Sequence, residues 1–204
     1  MRQLLRQRPL STLALGMVLT LVIGLAGGLA LAGSSQPGDD SAEAGFARDM
    51  MIHHSQAVNM GMLEYRNGAD DGMRRFGYDI GLTQQAQIGI MQTWLLSWEL
   101  DPTSTSPAME WMDGEMTLTD GLMPGMAGAE DIKLLETSTG RDADVLFAQL
   151  MIKHHIGGVH MAEAILARTD DPQVVRLAEM MKSGQQGDIT ALRGKLTDLG
   201  APAA

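Results

Sequence analysis

Beyond residue 40 the chain is built from long stretches in which apolar positions recur every three or four residues, the spacing of amphipathic helices. One stretch starts at Ser41 or a neighbour and stops near Asn67 and Gly68; a second runs from about Asp71 to Glu99, before the Asp101–Pro102 pair. A third covers Arg141 to Arg168. A fourth follows Asp171 as N-cap and Pro172 at the first helical position, and ends at about Leu199. The intervening residues 101–140 are rich in turn formers and carry one short helical pattern near Ala129 to Thr137. This pattern predicts an all-α fold of two helical hairpins, 46–100 and 141–204, joined by a long connection. Such a crossover between the second and third helices gives a ferritin-like four-helix bundle over residues 46–200.

The first 32 residues follow a different pattern. Arg2, Arg6 and Arg8 precede a run from Leu10 to Ala32 that contains no charge, a basic flank ahead of an apolar helix. Two readings stay open. The run is long enough to span a bilayer as a signal anchor, and "ALA" at Ala30 to Ala32 is also a fitting cleavage site for a signal peptide. Either places the rest outside the cytoplasm, anchored at the cell membrane if uncleaved, secreted or periplasmic if cleaved. "GSSQPGDDSAEAG", 33–45, is small, polar and turn-rich, as expected of a flexible linker.

The hairpins also repeat each other. "FARDMMIHHSQAVNM" at 46–60 returns as "FAQLMIKHHIGGVHM" at 147–161, an offset of 101 residues that holds without a gap. Gln84, Gln85 and Ile88 fall on Gln185, Gln186 and Ile189; Arg75 falls on Arg176 and Leu95 on Leu196. Agreement at one offset indicates an internal duplication. All 5 histidines of the chain lie in the two copies.

Helical geometry arranges the repeated residues. At about 100° per residue, His154, Met161, Gly158 and Met151 share one stripe, as do His53, Met60, Glu64, Ala57 and Met50. His54 and His155 sit about 100° round from their neighbours, so one histidine of each pair should face the interior and the other an adjacent helix or groove. The small residues Ala57, Gly61, Gly157 and Gly158 allow close helix approach. His160 points elsewhere.

Composition sharpens the candidates. Cysteine is absent, which removes disulfides and thiolate metal sites, and aromatics are only 4% against 17 methionines, so the core must draw on Leu, Ile, Ala and Met. Without the three N-terminal arginines the net charge of −10 becomes −13, which disfavours nucleic acid as a partner. Imidazole with thioether is the ligand set that suits copper, and His53, His54, Met50, Met60, His154, His155, Met151 and Met161 supply it. Neutral imidazole is required, so affinity should fall below the ordinary histidine value of about pH 6.5. The connection adds Met109, Met112, Met116, Met123 and Met126, which are either filler that plugs the loop onto the bundle or a flexible Cu(I) capture strand.

Two other functions compete. In a metal-free structural or interaction module of the cell envelope, the histidines would be core residues bonded to Gln84, Gln185 or backbone carbonyls. A metal-dependent redox enzyme of the carboxylate-bridged di-iron type would need Glu-x-x-His motifs, and no glutamate here precedes a histidine by three. No nucleophile–base arrangement or glycine-rich phosphate loop is found, so catalytic residues are not assigned.

The doubled His-His phrases, the "Q..QI..M" of Gln84 to Met91 and the "MPGMA" before the short helix resemble the bacterial family called domain of unknown function family 305. The resemblance covers nearly everything from Phe46 to Leu199. It implies a ferritin-like helical bundle, an exported location, and relatives that bind copper and confer copper tolerance, with the eight motif residues above as the matching positions. One departure stands out: the family usually has Glu where this chain has Gln87 in the first copy and Asp188 in the second, which implies an impaired first half if that acid holds a ligand or orients a histidine.

Overall fold

Three of the four long helices begin where a side chain takes up free N–H groups of the first turn, and the fourth, Arg141–Leu166, follows Gly140 with no side-chain cap. Ser41 accepts the Ala44 N–H at 3.2 Å and starts α1 (Ala42–Asn67). Asp70 accepts the Met73 N–H at 2.8 Å and starts α2 (Asp71–Ser97). After the short α3 (Ala129–Thr137) and α4 (Arg141–Leu166), Asp171 accepts from Gln173 and Val174 and starts α5 (Pro172–Asp198). The computed structural model describes residues 36–115 and 117–202. Among these the chain is all-α, with a single 3-10 turn at Glu110–Met112 beside the five helices. The apolar stretch expected as an anchor or signal lies outside the described residues, as does Met116, and no helix among those described is long and apolar enough to cross a membrane. α1 opens four residues inside the stretch expected as a linker, because Ala44 is fully buried and draws that turn into the core.

α1 packs against α2 and α4 against α5, and α1 also packs on α4. The C-terminal end of α1 is sewn to the start of α4. Gly140 N–H donates to the Asn67 carbonyl at 2.8 Å, and the Asp144 carboxylate accepts the N–H groups of Ala69 at 2.9 Å and Asp70 at 3.1 Å. The two histidine helices therefore run antiparallel. At the same end, Lys195 near the close of α5 reaches Asp70 at 3.1 Å.

This junction buries an acid pair. Glu64 is fully buried beside Asp144, and burial, followed by the hydrogen bond and the charge of Asp144, pushes its carboxyl up to about 8. Glu64 thus carries a proton at neutral pH.

The apolar core is split into two clusters. One holds Phe46, Met50, Trp94, Met161 and Met181 together with Met109, Met112 and Met123 from the connection. The other holds Met60, Met73, Phe147, Met151, Ile189 and Leu192. Antiparallel helices explain the division: Met50, which precedes His53, shares a cluster with Met161, which follows His154, while Met60 and Met151 share the other.

α1 and α2 approach closely where Gly61 faces Gly77, since a Cβ on Gly61 would overlap the Gly77 carbonyl oxygen. Gly61→Ala should therefore destabilise the fold by roughly 1–3 kcal/mol through overpacking. At Gly89 in α2 a Cβ would meet nothing within 4 Å, so Gly89→Ala should stabilise by about 0.5–1 kcal/mol. Urea unfolding of the two variants checks both signs.

Candidate metal centre

His53, His54, His154 and His155 are all fully buried, in the layer between the two apolar clusters. The rings of His53 and His154 stack across the α1–α4 contact with centroids 3.8 Å apart and planes tilted by 34°. His54 and His155 turn outward to the neighbouring helix of their own hairpin, with centroids 6.4 Å from His53 and 6.2 Å from His154 respectively. The division into one interior and one outward histidine per pair follows from the 100° step between adjacent helical residues.

One nitrogen of every ring is pinned. His53 Nε2 donates to the Pro124 carbonyl at 3.1 Å and His154 Nε2 to the His53 carbonyl at 3.0 Å. His54 Nε2 meets Gln87 Oε1 at 2.8 Å, and His155 Nε2 meets the Asp188 carboxylate at 3.0 Å. All four acceptors are oxygens, which places the proton on Nε2 and leaves Nδ1 as a lone pair. The four Nδ1 atoms are buried without a hydrogen-bond partner. Gln84 and Gln185, the expected partners, are not bonded to the rings; Gln84 Oε1 and both amide atoms of Gln185 are themselves buried without partners.

Burial also favours the neutral form of His53, His54 and His154. Loss of hydration lowers His53 to about 4, although its bond to Pro124 opposes the shift, and lowers His54 to about 3. The same loss, with three other rings close by, holds His154 well below the ordinary histidine range.

Met50, Met60, Met151 and Met161 are fully buried on either side of the imidazole layer. In the connection, Met109, Met112 and Met123 are buried and Met126 is half-buried. Docking of that segment depends on residues that periodicity did not single out. Asp49 accepts the Met109 N–H at 2.7 Å and the Trp111 Nε1–H at 2.9 Å. The Gln56 amide exchanges two hydrogen bonds with the Ala127 backbone, at 2.9 and 2.7 Å. Pro124 and Gly125 lie against α4 where Gly157 leaves room, for a Cβ on Gly157 would overlap the Pro124 carbonyl. A polar residue in a copied motif, such as Gln56 opposite Gly157, was the signal available for this strap. His160 is exposed.

Donor chemistry defines what the centre can do. Among the described residues no three His, Asp or Glu side chains form a metal-holding group, so a hard cation has no carboxylate cage. What is present is neutral imidazole nitrogen between thioether pairs, a soft set. A cleft of about 740 Å³ opens elsewhere, between the start of α1 and the connection, lined by Asp39, Arg48, Trp111 and Arg168 and by none of the four histidines.

The profile of the family described as Domain of unknown function (DUF305) matches residues 43–196. A DUF305 protein from Streptomyces coelicolor is 42% identical, with a TM-score of 0.76 over 82% of this chain and 99% of that one. A DUF305 fragment from Deinococcus radiodurans is 30% identical, with a TM-score of 0.64 over 77% and 96%. CopM in its Cu(I)-bound form is 20% identical, with a TM-score of 0.58 over 78% and 96%, a likeness of fold. No curated protein matches the chain.

The buried rings and Glu64 give stability two opposed dependences on pH. A folded histidine held below its unfolded value of about 6.5 refuses a proton that the unfolded chain accepts, so stability falls as pH drops from 6.5 toward 4. Glu64 keeps a proton that the unfolded chain releases, so its contribution is full below about 4.5 and is lost as pH rises toward 8. The melting temperature should peak near pH 6.5, and Glu64→Gln should flatten the alkaline side and steepen the fall from pH 6.5 to 4.5, where Glu64 opposes the histidines. A melting temperature constant between pH 4.5 and 6.5 would contradict the burial of neutral imidazoles.

Proposed function

The chain belongs to the DUF305 family, and from that premise we propose that it is an extracytoplasmic copper-binding protein that buffers the ion or hands it on. The observation that carries the reading is the set of four buried Nδ1 lone pairs, each on a ring whose Nε2 is already fixed. Histidines that bind metals characteristically donate their second nitrogen to a carbonyl or carboxylate, which fixes tautomer and orientation. Here each of the four rings has such a partner at Nε2, three of them a carbonyl or carboxylate and one the amide oxygen of Gln87. The leading ligands are His53 and His154, whose rings are in contact, with His54 and His155 beside them and Met50, Met60, Met151 and Met161 as thioether donors. Met123 and Met126 bracket the Pro124–Gly125 strap and add donors next to it. Met109, Met112 and Met116 belong with the connection as a thioether reserve.

Several further features fit this reading. The four long helices are read as a ferritin-like bundle of two duplicated hairpins with a long crossover, preceded by an N-terminal apolar helix. Arg2, Arg6 and Arg8 before the Leu10–Ala32 run fit export, with membrane attachment if that run is retained. CopM, a protein of similar fold, has Cu(I)-bound, Cu(II)-bound and Ag-bound forms. The metal-free module has one observation in its favour, that every Nε2 has a protein partner, yet it leaves the four Nδ1 atoms without a role. A redox enzyme has no feature of its own at the centre.

The proton competes less than an ordinary histidine would allow. With His53 and His54 lowered to about 4 and 3, affinity should hold down to about pH 5 where the fold persists, rather than fall from 6.5. Anaerobic titration of the purified chain with Cu(I), Cu(II), Zn(II) and Fe(II) should find copper bound most tightly, and X-ray absorption should show nitrogen and sulfur around it. Changing His53, His54, His154 and His155 to Ala should remove that site. Unaltered copper affinity in a folded four-histidine variant, or a copper shell of oxygen donors alone in the parent, would refute the assignment.

A further inference from the structure

We propose that the cleft between the start of α1 and the connection is a binding site for an alkylammonium cation, a ligand with a protonated amine and a hydrocarbon stem. None of the four histidines lines this cleft, so the site stands apart from the copper reading. Its volume of about 740 Å³ lies in the range of small-molecule sites, roughly 300–1,000 Å³.

The lining selects a cation, for it carries five acidic side chains, Asp39, Asp40, Asp49, Glu110 and Asp113, against two arginines. Both arginines are already engaged. Arg48 donates to the Asp101 and Asp39 carbonyls and pairs with the Asp39 carboxylate. Arg168 donates to the Ala164 and Met112 carbonyls and pairs with Glu115 at 3.0 Å. Asp49 marks where the charge of the ligand belongs. It is only 7% exposed, yet both of its hydrogen bonds, from the Met109 N–H and the Trp111 Nε1–H, fall on Oδ2. Oδ1 takes none from the described residues. A carboxylate this deeply buried ordinarily has both oxygens bonded, and this one lines the cleft.

The rest of the wall decides the kind of cation. Met51, Ile52, Pro102, Pro107 and Ala108 are apolar, and Ile52 is 55% exposed. Trp111 is fixed beside them. Its ring meets Phe46 edge-on with centroids 5.7 Å apart, its Nε1–H is tied to Asp49, and it lies so close to Gly45 that a Cβ there would overlap it. Among the described residues no three acids form a metal-holding group, so a bare metal ion has no cage in the cleft. A protonated amine on an alkyl stem matches both surfaces, with the ammonium group against Asp49 and the stem along Ile52 and Trp111. A free polyamine and the lysine side chain of a protein share this chemistry.

Calorimetric titration of the full chain, free of copper, tests the site at about 0.15 M salt, where a Debye length of ~8 Å screens diffuse attraction to an acidic surface. Hexylamine is the minimal probe and hexanoate its anionic counterpart; spermidine and a lysine-centred tripeptide capped at both ends stand for the two sources. Hexylamine should bind at one site, and hexanoate at least tenfold more weakly. Ile52→Lys, which places a competing ammonium group at an exposed position, and Asp49→Asn should each weaken hexylamine at least tenfold. Tighter binding of spermidine than of the tripeptide assigns the cleft to a free polyamine and the reverse order to a protein-borne lysine; either order upholds the site. Absence of saturable amine binding, or hexanoate binding within twofold of hexylamine, overturns it, as does a folded Ile52→Lys variant of unchanged affinity. Should Asp49→Asn release the connection and fail to fold, Ile52→Lys still decides, because Ile52 is exposed.

Discussion

The contact between His53 and His154 is the constraint around which the rest of the molecule is organised. Each imidazole is a polar group removed from water, which is unfavourable unless hydrogen bonds replace the lost hydration. His154 recovers one bond from the backbone of His53 itself, at 3.0 Å. A symmetrical arrangement would have His53 bond to the His154 carbonyl. Instead it bonds to Pro124, at 3.1 Å, so the connection enters the core and completes the layer from one side only. Gly157 permits that entry because a side chain there would occupy the position of the Pro124 carbonyl.

Once the strap is part of the centre, the anchoring of the connection makes physical sense. Arg48 and Asp49 are adjacent and nearly buried. Arg48 holds the Asp101 carbonyl at 2.8 Å and Asp49 holds Met109 and Trp111. Arg168 donates to the Met112 carbonyl at 3.2 Å from the far end of α4. Among the described residues of 99–127, four non-glycine positions have positive φ, at Glu99, Met109, Asp113 and Asp120. Such conformations are costly outside glycine, and the many fixed attachments on α1 and α4 offset that cost.

Much of this was legible from local pattern. The caps at Ser41 and Asp171, the short helix at 129–137 and the outward turn of His54 and His155 follow from turn chemistry and a 100° helical step. The docking of Met109, Met112 and Met123 did not, because methionines in a turn-rich segment carry no period and their burial is decided by distant Asp49 and Arg168. The same limit applies to Glu64. Its place on the His53 stripe was visible, but its neighbour Asp144 is brought to it by the chain reversal at Gly68, where a Cβ would meet both carboxylates. Gln56 was passed over because a lone glutamine on a helix is ordinarily solvated; only the strap gives it two backbone partners.

The abundance of methionine follows from what surrounds a buried polar layer. Rigid aromatic or β-branched side chains would have to fit both the fixed imidazoles and an irregular connection, and chains with 4% aromatics have few such groups to place. Methionine is unbranched and polarisable, so it fills uneven space against both. Seven buried methionines in the cluster shared with the connection, Met50, Met91, Met109, Met112, Met123, Met161 and Met181, come from α1, α2, α4, α5 and the connection. The property that lets them pack there, a soft and deformable sulfur, is also the property that makes them ligands for a soft ion. A packing role for these residues is therefore compatible with the proposed ligand role. The same thioethers that fill this interior around unpartnered imidazole nitrogens are the donors on which the proposed copper site would draw.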